Sequence, residues 1–145
     1  MTWNIKSEAR RYNRILSEID AVYHEIALKQ GFSDSIMSIL YIIADNDGTC
    51  LISELVKQSG LNKQTINSAL RKLEEESILY LEAVGGRSKR IVLTEKGTSV
   101  VHNTVDRVIA VENKIYSSWK PEEWTLYLAL TERYLNELKE KMKEI

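Results

Sequence analysis

Apolar residues recur along this chain at three- and four-residue intervals over most of its length, and in one short region they cluster in β-rich runs instead. The first periodic stretch runs from about Ile5 to Lys29, with Tyr12, Ile15, Leu16, Ile19, Tyr23 and Ile26 on one side, and Gly31 closes it. A second helix is predicted after Ser33, a suitable cap, with Ile36, Ile39, Leu40, Ile43 and Ala44 as its stripe. The turn-forming run Asp45-Asn46-Asp47-Gly48 ends it, and Thr49-Cys50 reads as a short strand. Leu51 to Gly60 is a short helix with apolar positions 51, 52, 55 and 56 and a C-terminal glycine. Leu61 to Leu73 follows as another helix.

The runs Leu79 to Val84 and Ile91 to Thr94 flank Gly85-Gly86-Arg87-Ser88-Lys89-Arg90, the pattern of a hairpin with a glycine turn and a basic tip. Beyond Gly97 the spacing predicts one long helix to about Trp119, carrying Val101, Val105, Val108, Ile109, Ile115 and Tyr116. Pro121, at a favoured first helical position, restarts the chain. The last helix places Trp124, Tyr127, Leu128, Thr131, Tyr134, Leu135, Leu138 and Met142 on one stripe. The fold class is mainly α with a small β-hairpin, and thirteen residues, 61–73, stand out within it.

In that helix Ile66, Ala69, Leu70 and Leu73 form the apolar stripe, while Gln64, Asn67, Ser68 and Arg71 gather opposite. Solvated faces are mostly Lys and Glu; this one is amide, hydroxyl and guanidinium. Such groups match base edges in the DNA major groove, Asn or Gln with adenine, Arg with guanine, Ser or Thr with either. Asn62 is a good N-cap, and Lys63 adds charge beside the free backbone N–H groups that favour a phosphate. A short helix, a glycine turn and this second helix make a helix-turn-helix.

The net charge of −1 changes the picture only when it is divided along the chain. Residues 57–96 carry eight basic and five acidic side chains, +3, and the rest carries twelve and sixteen, −4. The positive charge lies where the motif lies.

From Ile36 to Gly97 the order of helix, helix-turn-helix, basic hairpin and Leu93-Thr94-Glu95-Lys96-Gly97 resembles the MarR family of bacterial winged-helix transcription regulators. Lys63-Gln64-Thr65, Leu73-Glu74-Glu75 and the spacing from Arg87 to Leu93-Thr94 carry most of the match. The resemblance implies one domain over 1–145, with a winged helix-turn-helix lobe at 33–97 and dimerisation helices at 1–32 and 98–145. It implies a sequence-specific, double-stranded DNA-binding regulator, a homodimeric repressor on a pseudo-palindromic operator. The expected DNA contacts are Asn62, Lys63, Gln64, Thr65, Asn67, Ser68 and Arg71 from the helix-turn-helix, with Arg87 in the minor groove and Lys89 and Arg90 on phosphates. It also implies a small aromatic or phenolic effector, for which Tyr12, Tyr23, His24, Tyr41 and Trp3 are candidate pocket residues, although plain packing is the more ordinary role of each.

Two positions depart from the family's pattern. Its wings usually carry Asp two residues before the Arg, where this chain has Gly85, and its turn after the recognition helix usually has Gly, where this chain has Ser77.

Other classes find little support. His24 and His102 are the only histidines, neither beside a nucleophile or carboxylate at recognisable spacing, and there is no glycine-rich phosphate loop or metal-ligand cluster. An enzyme and a bound cofactor or metal are therefore not expected. No apolar run approaches the ~18 residues of a membrane span, and Met1 to Lys6 lacks the order of a signal peptide, so a cytoplasmic protein is expected. The lone Cys50 excludes an internal disulfide and reads as a buried packing residue rather than a redox sensor. The remaining rival is a winged-helix protein-interaction module without DNA binding, because the fold alone does not imply DNA.

Overall fold

The computed structural model describes residues 3–145; Met1 and Thr2 of the N-terminal stretch read above lie outside the described residues. The chain divides into two compact units, one ending at Asp106 and the other Arg107–Ile145.

In the first unit α1 spans Ile5–Lys29, with the Asn4 side chain accepting from the Ser7 N–H at its start. Its only buried residue is Ala27, and Tyr12, Ile15, Leu16, Ile19 and Tyr23 of the apolar stripe are all exposed. Ser33 caps α2 (Asp34–Asp45) by accepting from Ile36 N–H at 3.2 Å. This helix is the centre of the core: Ile39, Leu40 and Ile43 are fully enclosed. Around them lie Leu55 of α3 (Ile52–Ser59) and Ile66, Leu70 and Leu73 of α4 (Lys63–Glu75).

Strands β1 (Thr49–Leu51), β2 (Leu79–Gly85) and β3 (Ser88–Leu93) form an antiparallel sheet in the order β1-β3-β2. Cys50 faces Ile91, and Leu81 faces Ile91 from the other side. The strand expected at Thr49-Cys50 therefore does close the sheet. It also takes Leu51, so α3 starts at Ile52 rather than Leu51. The hairpin corrects a second expectation. Its strands extend almost to the end, leaving Gly86-Arg87 as the turn, and Ser88, Lys89 and Arg90 belong to β3 rather than to a loose basic tip. The sequence pattern missed this because its β-forming residues stop at Val84, while backbone pairing continues past them with a bulge between Ala83 and Gly85.

The joint between wing and core is close. The Thr94 N–H donates to the Ile78 carbonyl at 3.0 Å, and the Thr94 hydroxyl donates to the Ser77 carbonyl at 2.6 Å. Lys96 Nζ donates to the Glu76 carbonyl at 2.8 Å. Gly97, in the first turn of α5 (Glu95–Asn103), lies so near Ile78 that a Cβ there would overlap its carbonyl oxygen.

The single long helix expected beyond Gly97 is two helices, α5 and α6 (Val105–Ser118). Thr94 starts α5 earlier than expected, its hydroxyl accepting from Gly97 N–H at 2.9 Å. The break falls at Thr104 (φ −126°, ψ −90°). Its carbonyl accepts from Gln30 Nε2 at 3.1 Å and its hydroxyl donates to the Val100 carbonyl at 2.7 Å. The apolar register passes through this break unaltered, which is why periodicity alone does not reveal it.

The second unit holds most of α6 and all of α7 (Pro121–Met142). At the turn between them Trp119 stacks on Trp124 with centroids 4.5 Å apart, and Tyr116 and Tyr127 meet Trp124 edge-on. Trp124 Nε1 donates to the Tyr116 carbonyl at 2.8 Å. No residue of α7 is buried.

Two outcomes test this packing. Gly97→Ala is expected to lower unfolding stability by about 2–3 kcal/mol, since overpacking forces backbone shifts; an unchanged denaturation midpoint would refute the close approach. Cys50 is buried, and loss of hydration, with a smaller push from Glu54, raises its thiol pKa to about 11. Only roughly three thiols in ten thousand are then ionised at pH 7.5, and the thiolate is the reactive form. Alkylation of native protein should be more than about 100-fold slower than of unfolded protein and should accelerate as pH rises towards 11. Rapid labelling of the native protein at neutral pH would contradict this.

Candidate nucleic-acid interface

The start of α4 is built by Asn62, whose Oδ1 accepts from the Thr65 N–H at 2.8 Å. This bond answers one of the unpaired donors of the first turn. The Asn62 side chain, expected from the sequence as a DNA contact, is thus engaged in shaping the start of α4. Ile66, Ala69, Leu70 and Leu73 are buried. At about 100° per residue, Gln64, Ser68 and Arg71 project directly away from that stripe. Asn67 and Lys63 flank them on one side and Thr65 on the other. Lys63, Gln64, Asn67, Ser68 and Arg71 are exposed and Thr65 is half-buried.

Glu75 shares the outward side one turn beyond Arg71, and Glu74 and Glu76 are exposed beside it. The exposed face of α4 thus turns acidic at its C-terminal end.

A shallow cleft of about 440 Å³ opens between the start of α2 and α4, lined by Ser33, Ser35 and Ile36 on one wall and Gln64, Thr65, Ser68, Ala69 and Lys72 on the other. The candidate residues Gln64, Thr65 and Ser68 thus share their edge with Ser33, Ser35 and Lys72, which sequence reasoning did not select. Lys72 follows Gln64 and Ser68 at four-residue steps and was legible in that spacing. Ser33 and Ser35 were not, because only the packing of α2 against α4 brings them near.

Arg87 stands in the two-residue turn of the wing, exposed. Lys89 and Arg90 are also exposed, but successive strand residues point to opposite faces of the sheet. The two cannot follow the same stretch of a ligand's backbone. Among the described residues, none of Lys63, Arg71, Lys72, Arg87, Lys89 and Arg90 is in an ion pair. Acidic neighbours in the fold include Glu82, opposite Arg90 in the sheet register, and Glu75, one turn after Arg71.

The residues expected around an effector lie elsewhere. Tyr12, Tyr23 and His24 are on α1, Tyr41 is on α2, and Trp3 precedes α1. Tyr12 stands about 16 Å along the helix from Tyr23, at 1.5 Å per residue, so within one chain it is far from the pair Tyr23 and His24. His24 Nδ1 meets both carboxylate oxygens of Asp34 at 2.9 Å, tying α1 to the first residue of α2. Among the described residues no three His, Cys, Asp or Glu side chains come together as a metal site, and no single helix is long and apolar enough to cross a membrane.

This arrangement has close counterparts. Residues 30–90 match the sequence profile of the MarR family. Over that segment the chain carries the sequence pattern of the MarR family. The likeness in fold extends further. A MarR family regulator from Neisseria meningitidis superposes with a TM-score of 0.81 at 15% identity, covering 94% of this chain and 97% of that one. One from Silicibacter pomeroyi gives 0.67 at 23%, covering 86% and 84%. The Bordetella bronchiseptica regulator BpsR, whose DNA binding is regulated by 6-hydroxynicotinic acid, gives 0.60 at 15%, covering 86% and 98%. No curated protein sequence matches the chain.

The two departures from the MarR-family pattern now have physical content. Ser77 takes the left-handed backbone (φ +60°) that glycine favours, while its carbonyl holds the Thr94 hydroxyl. The turn keeps a glycine-like form without glycine. Gly85 sits at φ +130°, a conformation that a residue with a Cβ rarely adopts. An Asp in its place could not keep this backbone, so the wing turn here is organised by glycine rather than by a carboxylate.

Asn62→Ala is expected to cost about 1 kcal/mol of stability while Asn62→Asp costs little, because both Asn and Asp accept at the N-cap. Equal losses in the two variants, measured by urea denaturation, would assign Asn62 another role.

Proposed function

We propose that the protein is a homodimeric transcription regulator, a repressor that reads a pseudo-palindromic operator and is released by a small aromatic or phenolic effector. The observation that carries this reading is the outward face of α4: amide, hydroxyl and guanidinium groups, exposed and beside cations that have no ion-pair partner. Ordinary solvated faces do not concentrate this chemistry, and base edges in the major groove require it.

In this reading Gln64, Asn67, Ser68 and Arg71 face base edges, with Thr65 at the margin. Lys63 holds a phosphate near the start of α4. Arg87 enters the flanking minor groove, where narrow A·T-rich DNA attracts a guanidinium. Lys89 and Arg90 hold phosphates from the two faces of the wing, contacts that position the protein without specifying sequence. Lobes of a two-fold dimer roughly 34 Å apart reach successive major grooves, which makes the operator a rough palindrome. Such a regulator works where the DNA is, in the cytoplasm.

Exposed apolar side chains support the dimer. The stripe of α1 and most of α7 are uncovered, and surfaces of this extent are uncommon on monomers. The effector is supported by BpsR, whose regulating ligand is a hydroxylated aromatic acid. Tyr12, Tyr23, His24 and Tyr41 remain the proposed pocket. An effector would act through a difference in affinity between DNA-bound and free forms, and the His24–Asp34 contact is a place where such a ligand could be felt in α2.

Fluorescence anisotropy of the protein with its own upstream DNA and with unrelated DNA, at several salt concentrations, tests this. Arg71→Ala is expected to weaken specific binding by about 5- to 150-fold, the worth of a bidentate base contact. Arg87→Ala should act most on operators with A·T-rich flanks. Four neutralised phosphates per subunit would give a log–log salt slope of about −7. Weak and equal binding to all DNA, unaffected by either substitution, would favour the protein-interaction module.

A further inference from the structure

The second unit has almost no interior. Of Arg107–Ile145 only Val108 is buried, and α7 buries nothing. Yet α7 is apolar on opposite sides: Leu126 and Leu130 project one way and Leu128 and Leu135 the other, each between 46% and 61% exposed. Between these leucines run charged residues such as Glu132, Arg133 and Glu137, so the apolar sides are ones a partner would cover. Twelve large apolar side chains of this unit stand exposed, most of them by about half. At roughly 150 Å² or more for a whole large side chain, that is on the order of the 800 Å² one partner contributes to a standard stable interface.

What the unit does possess is local. The Trp119–Trp124 stack, with Tyr116 and Tyr127 against it, ties the end of α6 to the start of α7. These contacts span a few residues and close a turn. Propensity alone seldom sustains a helix in water without burial of a face, and α7 buries none.

We infer that Arg107–Ile145 completes its folding only on a second copy of this chain, so that dimerisation and formation of α7 are one event. The second copy is the occupant because it brings an equally large apolar area, with acidic and basic side chains interspersed, as in the Arg133–Glu137 pair. The proposal rests on the homodimer reading and goes beyond it: the dissociated monomer keeps a folded winged lobe and loses its C-terminal helix.

Hydrogen exchange across a dilution series, with mass photometry on the same samples, tests this on the full chain, wild type and Leu135→Asp. Leu135 lies outside the aromatic block and is exposed, so in a folded monomer the substitution would be nearly silent. The wild type should be a dimer whose 121–142 amides lose protection in step with dissociation, while α2 and α4 stay protected. Leu135→Asp should weaken the dimer by at least about 30-fold, the scale of an interface hot spot, and expose the same amides with α2 and α4 intact. A wild-type dimer whose diluted monomer keeps 121–142 protected would leave the homodimer standing and overturn coupled folding. So would a Leu135→Asp protein that dimerises and exchanges like wild type. A wild type monomeric at tens of micromolar would overturn both.

Discussion

The winged lobe depends on one close approach, that of α5 to the Ile78 carbonyl. Gly97 has no Cβ to keep the backbones apart, and the space it leaves lets Thr94 bond the same short segment through its N–H and hydroxyl. Lys96 adds the Glu76 carbonyl. Three carbonyls between the end of α4 and the start of β2 are thereby answered from one three-residue stretch, Thr94 to Lys96. The segment that receives these bonds leads out of α4 on one side and into β2 on the other. Displacing it would disturb α4 and β2 together, so it joins the two parts of the proposed DNA reader.

That reader is polar in a particular way. Its cations have no carboxylates in ion-pair range, although exposed glutamates follow directly at 74–76. The chain is slightly acidic overall, with a local surplus of +3 over residues 57–96. Long-range attraction of such a protein to DNA is modest, so in the proposed reading more of the discrimination falls on contact chemistry at Gln64, Asn67, Ser68 and Arg71.

Much of this was legible in the sequence because the relevant signals are local. Asn62, Ser33 and Gly60 mark helix ends through bonds or backbone angles confined to a few residues, and α1 runs between Ile5 and Lys29 as its spacing predicts. The polar face of α4 follows from its apolar stripe. What stayed hidden depends on residues far apart in sequence. Gln30 reaches the Thr104 carbonyl across 74 positions and helps to divide one helical register into two helices. Ser33 and Ser35 join the recognition helix only through the packing of α2. The strands of the wing outrun their β-forming residues because pairing is cooperative, and Ser77 keeps a glycine-like turn because Thr94 holds it there.

The wing turn carries a thermodynamic consequence of its own. Arg87 follows two consecutive glycines, and glycine surrenders more conformational freedom than any other residue when it is held still. In a complex with DNA, seating Arg87 would immobilise that stretch, a loss that grows with temperature. The minor-groove contact would then carry a more unfavourable entropy than the contacts made from α4, whose backbone is already fixed. Cooling should tighten the wing's grip relative to that of the recognition helix, and operators that differ only in their flanks should separate most clearly in the cold.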